Sequence, residues 1–119
     1  MGGFKDLNVW QRAKELAVHI YGVTREEPFC RDFALRDQIR QAAISVPSNV
    51  AEGDERGSNK ESVRFLYIAK GSLAELQTQL EIAHEIGYVN NSSLRALNDQ
   101  CIQIGKMLGG LLLRQLNLL

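Results

Sequence analysis

Apolar residues in this chain recur every three or four positions over long runs, and strand-like alternation is absent. That period puts them on one face of an α-helix. The first run predicts a helix over 9–24, with Val9, Ala13, Leu16, Ile20 and Val23 in one stripe flanked by Trp10 and Ala17. Asn8 is the expected cap, with Gln11 reaching back to it as in a capping box. Pro28, beside Glu26 and Glu27, marks a loop. A second helix is expected over 33–55. Its Leu35, Ile39, Ala42, Ala43, Val46 and Val50 fall within about 100° of one another at 3.6 residues per turn. Pro47 lies inside this run, where a proline removes a backbone hydrogen bond and crowds the preceding turn. The stripe stays in phase across it, so one kinked helix is expected.

Residues 54–59 read as a turn, and Ser58 with Glu61 gives a second Ser-x-x-Glu start signal. The third helix is expected to reach about residue 86, with Leu66, Ala69, Leu73, Leu76, Leu80 and Ala83 inward. Ile68, Ile82 and Ile86 lie to one side, making the apolar arc wider than one core needs. Such an arc implies a second buried contact, with another protomer as the candidate. Gly87 suits a left-handed helix end, and Asn90 to Ser93 supply the next cap. The fourth stripe carries Leu94, Leu97, Cys101, Ile104, Leu108, Leu111 and Leu112. Helices this long, joined by short loops, pack against antiparallel neighbours. The expectation is an all-α, up-down antiparallel four-helix bundle with a kinked second helix.

A length of 119 residues is one domain's worth, expected over 1–119. Cys30 and Cys101 are far apart and form no CxxC pair, which argues against a disulfide framework or a zinc site and fits a reducing cytoplasm. Residues 1–6 lack the apolar stretch of a signal peptide. The most apolar segment, 101–119, is broken by Lys106, Arg114 and three glycines, so neither secretion nor membrane insertion is expected. The charge is balanced, 14 basic against 14 acidic residues, with nine of each sign up to Lys60. No basic tail announces nucleic acid, so such binding would need clustering on the folded surface.

Four groups of residues carry candidate chemistry. Glu81 and His84 have the Glu-x-x-His spacing of carboxylate-bridged di-metal bundles, which need a second such motif and two more inward carboxylates. The second copy is missing, and on the wheel both residues group with Lys70, Gln77 and Glu85, away from Leu73 and Leu76. A surface pair is expected, with no metal and no cofactor. Cys101 reads as a small core residue. Cys30 stands beside Arg31, a charge that can activate a thiol, but no paired His and orienting carboxylate accompany it. Phosphate loops of Walker or Rossmann type are absent. No acid, base and nucleophile converge, so an enzyme is not expected.

The polar flank of the second helix is more informative. Gln38, Ser45, Asn49, Glu52 and Arg56 fall on one edge of its stripe. They read either as a half-buried seam fixing helix register or an interface, or as a ligand site at the bundle edge. Arg36 and Arg40 lie on the opposite flank, one turn apart. With Lys60 and Arg64 they are the candidates for phosphate contact, set against a solvated charged face in which Asp37, Glu52, Asp54 and Glu55 are interleaved.

Three blocks carry a resemblance. Asp6-Leu7-Asn8-Val9-Trp10-Gln11-Arg12-Ala13 resembles the opening of the four-helix-bundle family encoded in intervening sequences of bacterial 23S ribosomal RNA genes. So does the segment from Gln38-Ile39-Arg40-Gln41 through Val46-Pro47-Ser48-Asn49-Val50-Ala51-Glu52-Gly53, the most specific of the three. Ile68-Ala69-Lys70-Gly71-Ser72-Leu73-Ala74-Glu75-Leu76 completes the order. The resemblance implies a homopentameric barrel and kinship with accessory proteins of diversity-generating retroelements, which are held to bind nucleic acid and a reverse transcriptase through a basic surface. It implies no catalytic residues. Gln41 and Lys70 stand where arginine is common in the family, and both changes thin the basic surface. Two function classes result: a non-enzymatic homo-oligomeric scaffold binding RNA, DNA or a nucleoprotein, and a protein-binding or structural oligomer without nucleic-acid contact.

Overall fold

The computed structural model describes residues 3–119; Met1 and Gly2, part of the segment read for a signal peptide, lie outside them. Among the described residues the helices are α1 (Asn8–Thr24), α2 (Phe33–Glu55), α3 (Asn59–Glu85) and α4 (Asn91–Asn117), with short 3-10 turns at Gly3–Asp6 and Phe29–Arg31 and no strand. Each helix packs against the next, and α4 closes the square against α1. The result is an up-down four-helix bundle, 46 Å long and about 20 Å across. No helix among the described residues is long and apolar enough to cross a membrane.

The helix ends follow from local chemistry, with one departure from expectation. Asn8 does not cap α1. Leu7, in extended backbone, is the N-cap, and its carbonyl accepts the first helical bond from the Gln11 amide at 3.1 Å. The preceding 3-10 turn sets this arrangement: Leu7 N–H donates to the Phe4 carbonyl at 3.0 Å, moving the entry one residue earlier. The Gln11 side chain then reaches the Lys5 carbonyl, at 2.8 Å, and the capping box does not form. Asp32 caps α2, accepting from Leu35 N–H at 3.1 Å, and α2 runs as one helix through a buried Pro47. Ser58 caps α3 through Glu61 N–H, and Asn90 caps α4 through Ser93 N–H. Gly87, at φ +91°, ends α3. Its N–H bonds the His84 carbonyl and that of Tyr88 bonds Ala83, the paired closure that favours glycine at this position.

The core is the sum of the four stripes. Leu16, Ile20, Ile39, Val46, Leu66, Leu76, Leu80, Leu97, Ile104 and Leu108 are fully buried, and each contributes about 1.5–3 kcal/mol of apolar transfer. Near their shared turn α2 and α3 approach closely. A Cβ on Gly53 would stand 3.2 Å from Phe65 Cβ and 3.3 Å from the Ser62 carbonyl oxygen. Phe29, in the α1–α2 connection, is also fully buried, plugging one end by stacking on Tyr88 with ring centroids 5.0 Å apart.

Cys101 lies in this core, and burial pushes its thiol up from an ordinary value of 9 to about 11. The unfolded chain therefore gives up this proton first. Its contribution to stability is complete below pH 9 and is lost as the pH rises toward 11. In native protein at mildly alkaline pH, an aromatic disulfide reagent is expected to titrate the half-buried Cys30 and to spare Cys101 until the chain unfolds. Two equally fast thiols would contradict that.

Candidate functional site

The polar flank of α2 divides into two halves against α3. Around Ser45 it is a closed seam. Ser45 Oγ lies 2.7 Å from Ser72 Oγ, and Asn49 Nδ2 donates to both the carbonyl and Oγ of Ser45, at 2.8 and 2.9 Å. These half-buried bonds fix α2 and α3 in register, residue 45 opposite 72. Farther along, Glu52 and Arg56 are exposed and pair with each other at 3.4 Å, a contact worth little in water.

Toward the start of α2 the flank opens into a notch of about 400 Å³ between α2 and α3. It is lined by Gln38, Gln41, Ala42, Ser45, Glu75 and Gln79. Gln79 is only 7% exposed, and its Oε1 is buried without a hydrogen-bond partner. Leaving such an oxygen unpaired costs about 1–3 kcal/mol. The sequence pattern alone passed over Gln79, and it drew Gln41 and Glu75 only into the family resemblance and not into a site. The available signal was a polar residue bordering the inward stripe of α3, directly before Leu80.

The outward face of α3 carries Ile68, Ile82 and Ile86, which are 41%, 45% and 52% exposed. No core of the bundle covers them.

The four basic candidates do not form one cluster. Arg36 and Arg40 sit in the first turns of α2, whereas Lys60 and Arg64 open α3 at the opposite end of the bundle. Between the two pairs lie roughly 20–30 Å of helix, at 1.5 Å per residue. Arg36 donates to Asp37 at 2.8 Å and to the Cys30 carbonyl at 3.2 Å, and its guanidinium stacks over Phe33. Arg40 donates to Thr24 Oγ1 at 2.8 Å and stacks over Tyr21. Thr24 is fully buried and itself donates to the Ile20 carbonyl, so Arg40 also ties α2 to the end of α1. At the other end Arg64 pairs with Glu61 at 3.3 Å, and both Arg56 and Arg64 stack on Phe65. Lys60 is exposed.

The remaining polar residues tie helices together. His84 Nε2 lies 2.6 Å from Asn91 Oδ1, and Glu81 accepts from Asn98 at 3.3 Å. His19 Nδ1 lies 2.9 Å from Gln100 Oε1. Arg31 does not turn to Cys30; its guanidinium is held by Glu27 at 2.7 Å. Tyr88 donates to Asp32 at 3.0 Å, and this bond, before desolvation and the Asp32 charge, raises its hydroxyl above the usual tyrosine value. Asp32 thereby caps α2 and braces Tyr88 in the α3–α4 connection.

Apolar stripe, polar notch and basic ends all lie on outer faces of the cylinder, and this defines a four-helix bundle whose chemistry is at its surface. The chain belongs to the 23S rRNA-intervening sequence protein family, whose model matches residues 5–110. Its fold is similar to the crystal structure of a protein with unknown function from the S23 ribosomal protein family of Bacteroides thetaiotaomicron. The TM-score is 0.82 at 22% identity, covering 87% of this chain and 94% of that one. No curated protein matches the sequence. No catalytic family is indicated by these likenesses.

Proposed function

We propose that the protein is a non-enzymatic homo-oligomeric scaffold, a pentamer by family resemblance, that holds a nucleic-acid or nucleoprotein partner in the cytoplasm. The whole chain acts as one four-helix unit. The observation that carries the scaffold reading is the line of half-exposed isoleucines on α3, Ile68, Ile82 and Ile86. Large apolar side chains aligned on one helix face are the mark of a surface meant to be covered. Nucleic acid enters through family kinship and through the two arginine-bearing ends. No base-reading motif accompanies them, so contact is to phosphates and tolerant of sequence.

A protein-only oligomer is the second reading. It is favoured by Asp37 and Glu61, which already engage Arg36 and Arg64. Titrating a labelled RNA and a labelled duplex across salt separates the two. If about three phosphates are neutralised, the log–log slope is expected to be about −2 to −3. The variants Arg36→Glu/Arg40→Glu and Lys60→Glu/Arg64→Glu should each weaken binding, acting separately because the pairs are at opposite ends. No binding by wild type at low salt leaves the protein-only scaffold standing, whereas undiminished binding by both variants removes these two ends as the contact.

A further inference from the structure

The outward line of α3 contains a charge. Ile68, Glu75 and Ile82 follow at intervals of seven, each about 10 Å along the axis, and all three are exposed. Glu75 makes no ion pair among the described residues. It also lines the notch in which Gln79 Oε1 is buried unpaired. Any surface that covers these isoleucines takes Glu75 out of water with them, and a carboxylate so placed needs a cation.

The complementary pattern stands on α4. Ile102, Lys106 and Leu113 are exposed on one outward line, and Lys106 likewise makes no ion pair among the described residues. Neighbouring Gly109 and Gly110 present no side chain, nor does Gly71 on α3, and the space above all three is open. In a ring of upright bundles, rotation about the ring axis preserves each helix's direction. One copy's α3 therefore meets the next copy's α4 antiparallel, as the two helices run within one chain. Setting Glu75 opposite Lys106 then sets Ile68 opposite Leu113 and Gly71 opposite Gly110, with Ile102 one turn from Ile82.

We propose that the Glu75 face of α3 docks on the Lys106 face of α4 in a second copy, the lysine ammonium entering the notch between α2 and α3. An ammonium has three donors, enough for the Glu75 carboxylate and for Gln79 Oε1 one turn further on. Because two different faces meet, the contact is heterologous and repeats around a ring. The assignment rests on the homo-oligomer reading above and names its contact.

Sedimentation of the full chain tests it, using Glu75→Lys, Lys106→Glu and the double swap. Each single variant should raise the half-assembly concentration roughly tenfold or more, because like charges then face each other. The double swap should return it close to wild type, with circular dichroism unchanged throughout. Wild-type mass in both single variants overturns this contact and leaves the oligomer intact. Dissociated singles that the double swap fails to rescue overturn the pairing. A monomeric wild type at micromolar concentration removes the homo-oligomer reading as well.

Discussion

Ile82→Glu is expected to break the proposed assembly into folded single chains. The side chain is 45% exposed and points away from the adjacent inward residues Leu80 and Ala83, so the bundle has no need of it. At a covered interface the same position loses an apolar anchor and gains a carboxylate that must be desolvated, with exposed Asp99 of the second copy opposite it in the register that pairs Glu75 with Lys106. A loss of about 3 kcal/mol per contact weakens association roughly a hundredfold. In a closed ring every contact carries the defect. Light scattering should show the mass falling toward one chain of 13.3 kDa, with helical circular dichroism retained. Unchanged mass would remove the α3 stripe as the interface.

The largest effect on folding is expected at Phe29. Phe29→Ala should cost about 3–5 kcal/mol, the range for truncating a fully buried aromatic ring. The ring is 0% exposed and stacks on Tyr88, whose hydroxyl holds the Asp32 cap of α2. Its removal opens a cavity at the end of the bundle and loosens the brace between the α1–α2 and α3–α4 connections. Equilibrium denaturation reads the difference, with Tyr67→Ala as the control because that ring is 52% exposed. A loss no larger than the control's would refute the plug.

Helix number, order and stripes were legible because the 3.6-residue period runs through four long segments. Ser58, Gly87 and Asn90 were legible because their caps are set by neighbours three to five residues away. The Asn8 cap failed for the same local reason, since an upstream 3-10 turn moved the helix entry to Leu7. Phe29 was hidden because its burial comes from Tyr88, 59 positions on, and no periodic pattern spans that loop. The notch was half visible. Gln38 and Ser45 were on the flank from the start, but Gln79 and Glu75 joined them only through the register of α2 against α3. Arg36, Arg40, Lys60 and Arg64 are close in sequence, and the antiparallel hairpin carried the pairs apart.

That separation acts as a ruler. With Arg36 and Arg40 at one end of a protomer and Lys60 and Arg64 at the other, any polyanion touching both must lie along the cylinder for roughly 20–30 Å. At an axial rise of about 3.4 Å per nucleotide of a B-form strand, that is roughly six to nine nucleotide steps. Shorter oligonucleotides would reach one end at a time, so a scaffold that holds nucleic acid as proposed would select its length before its sequence.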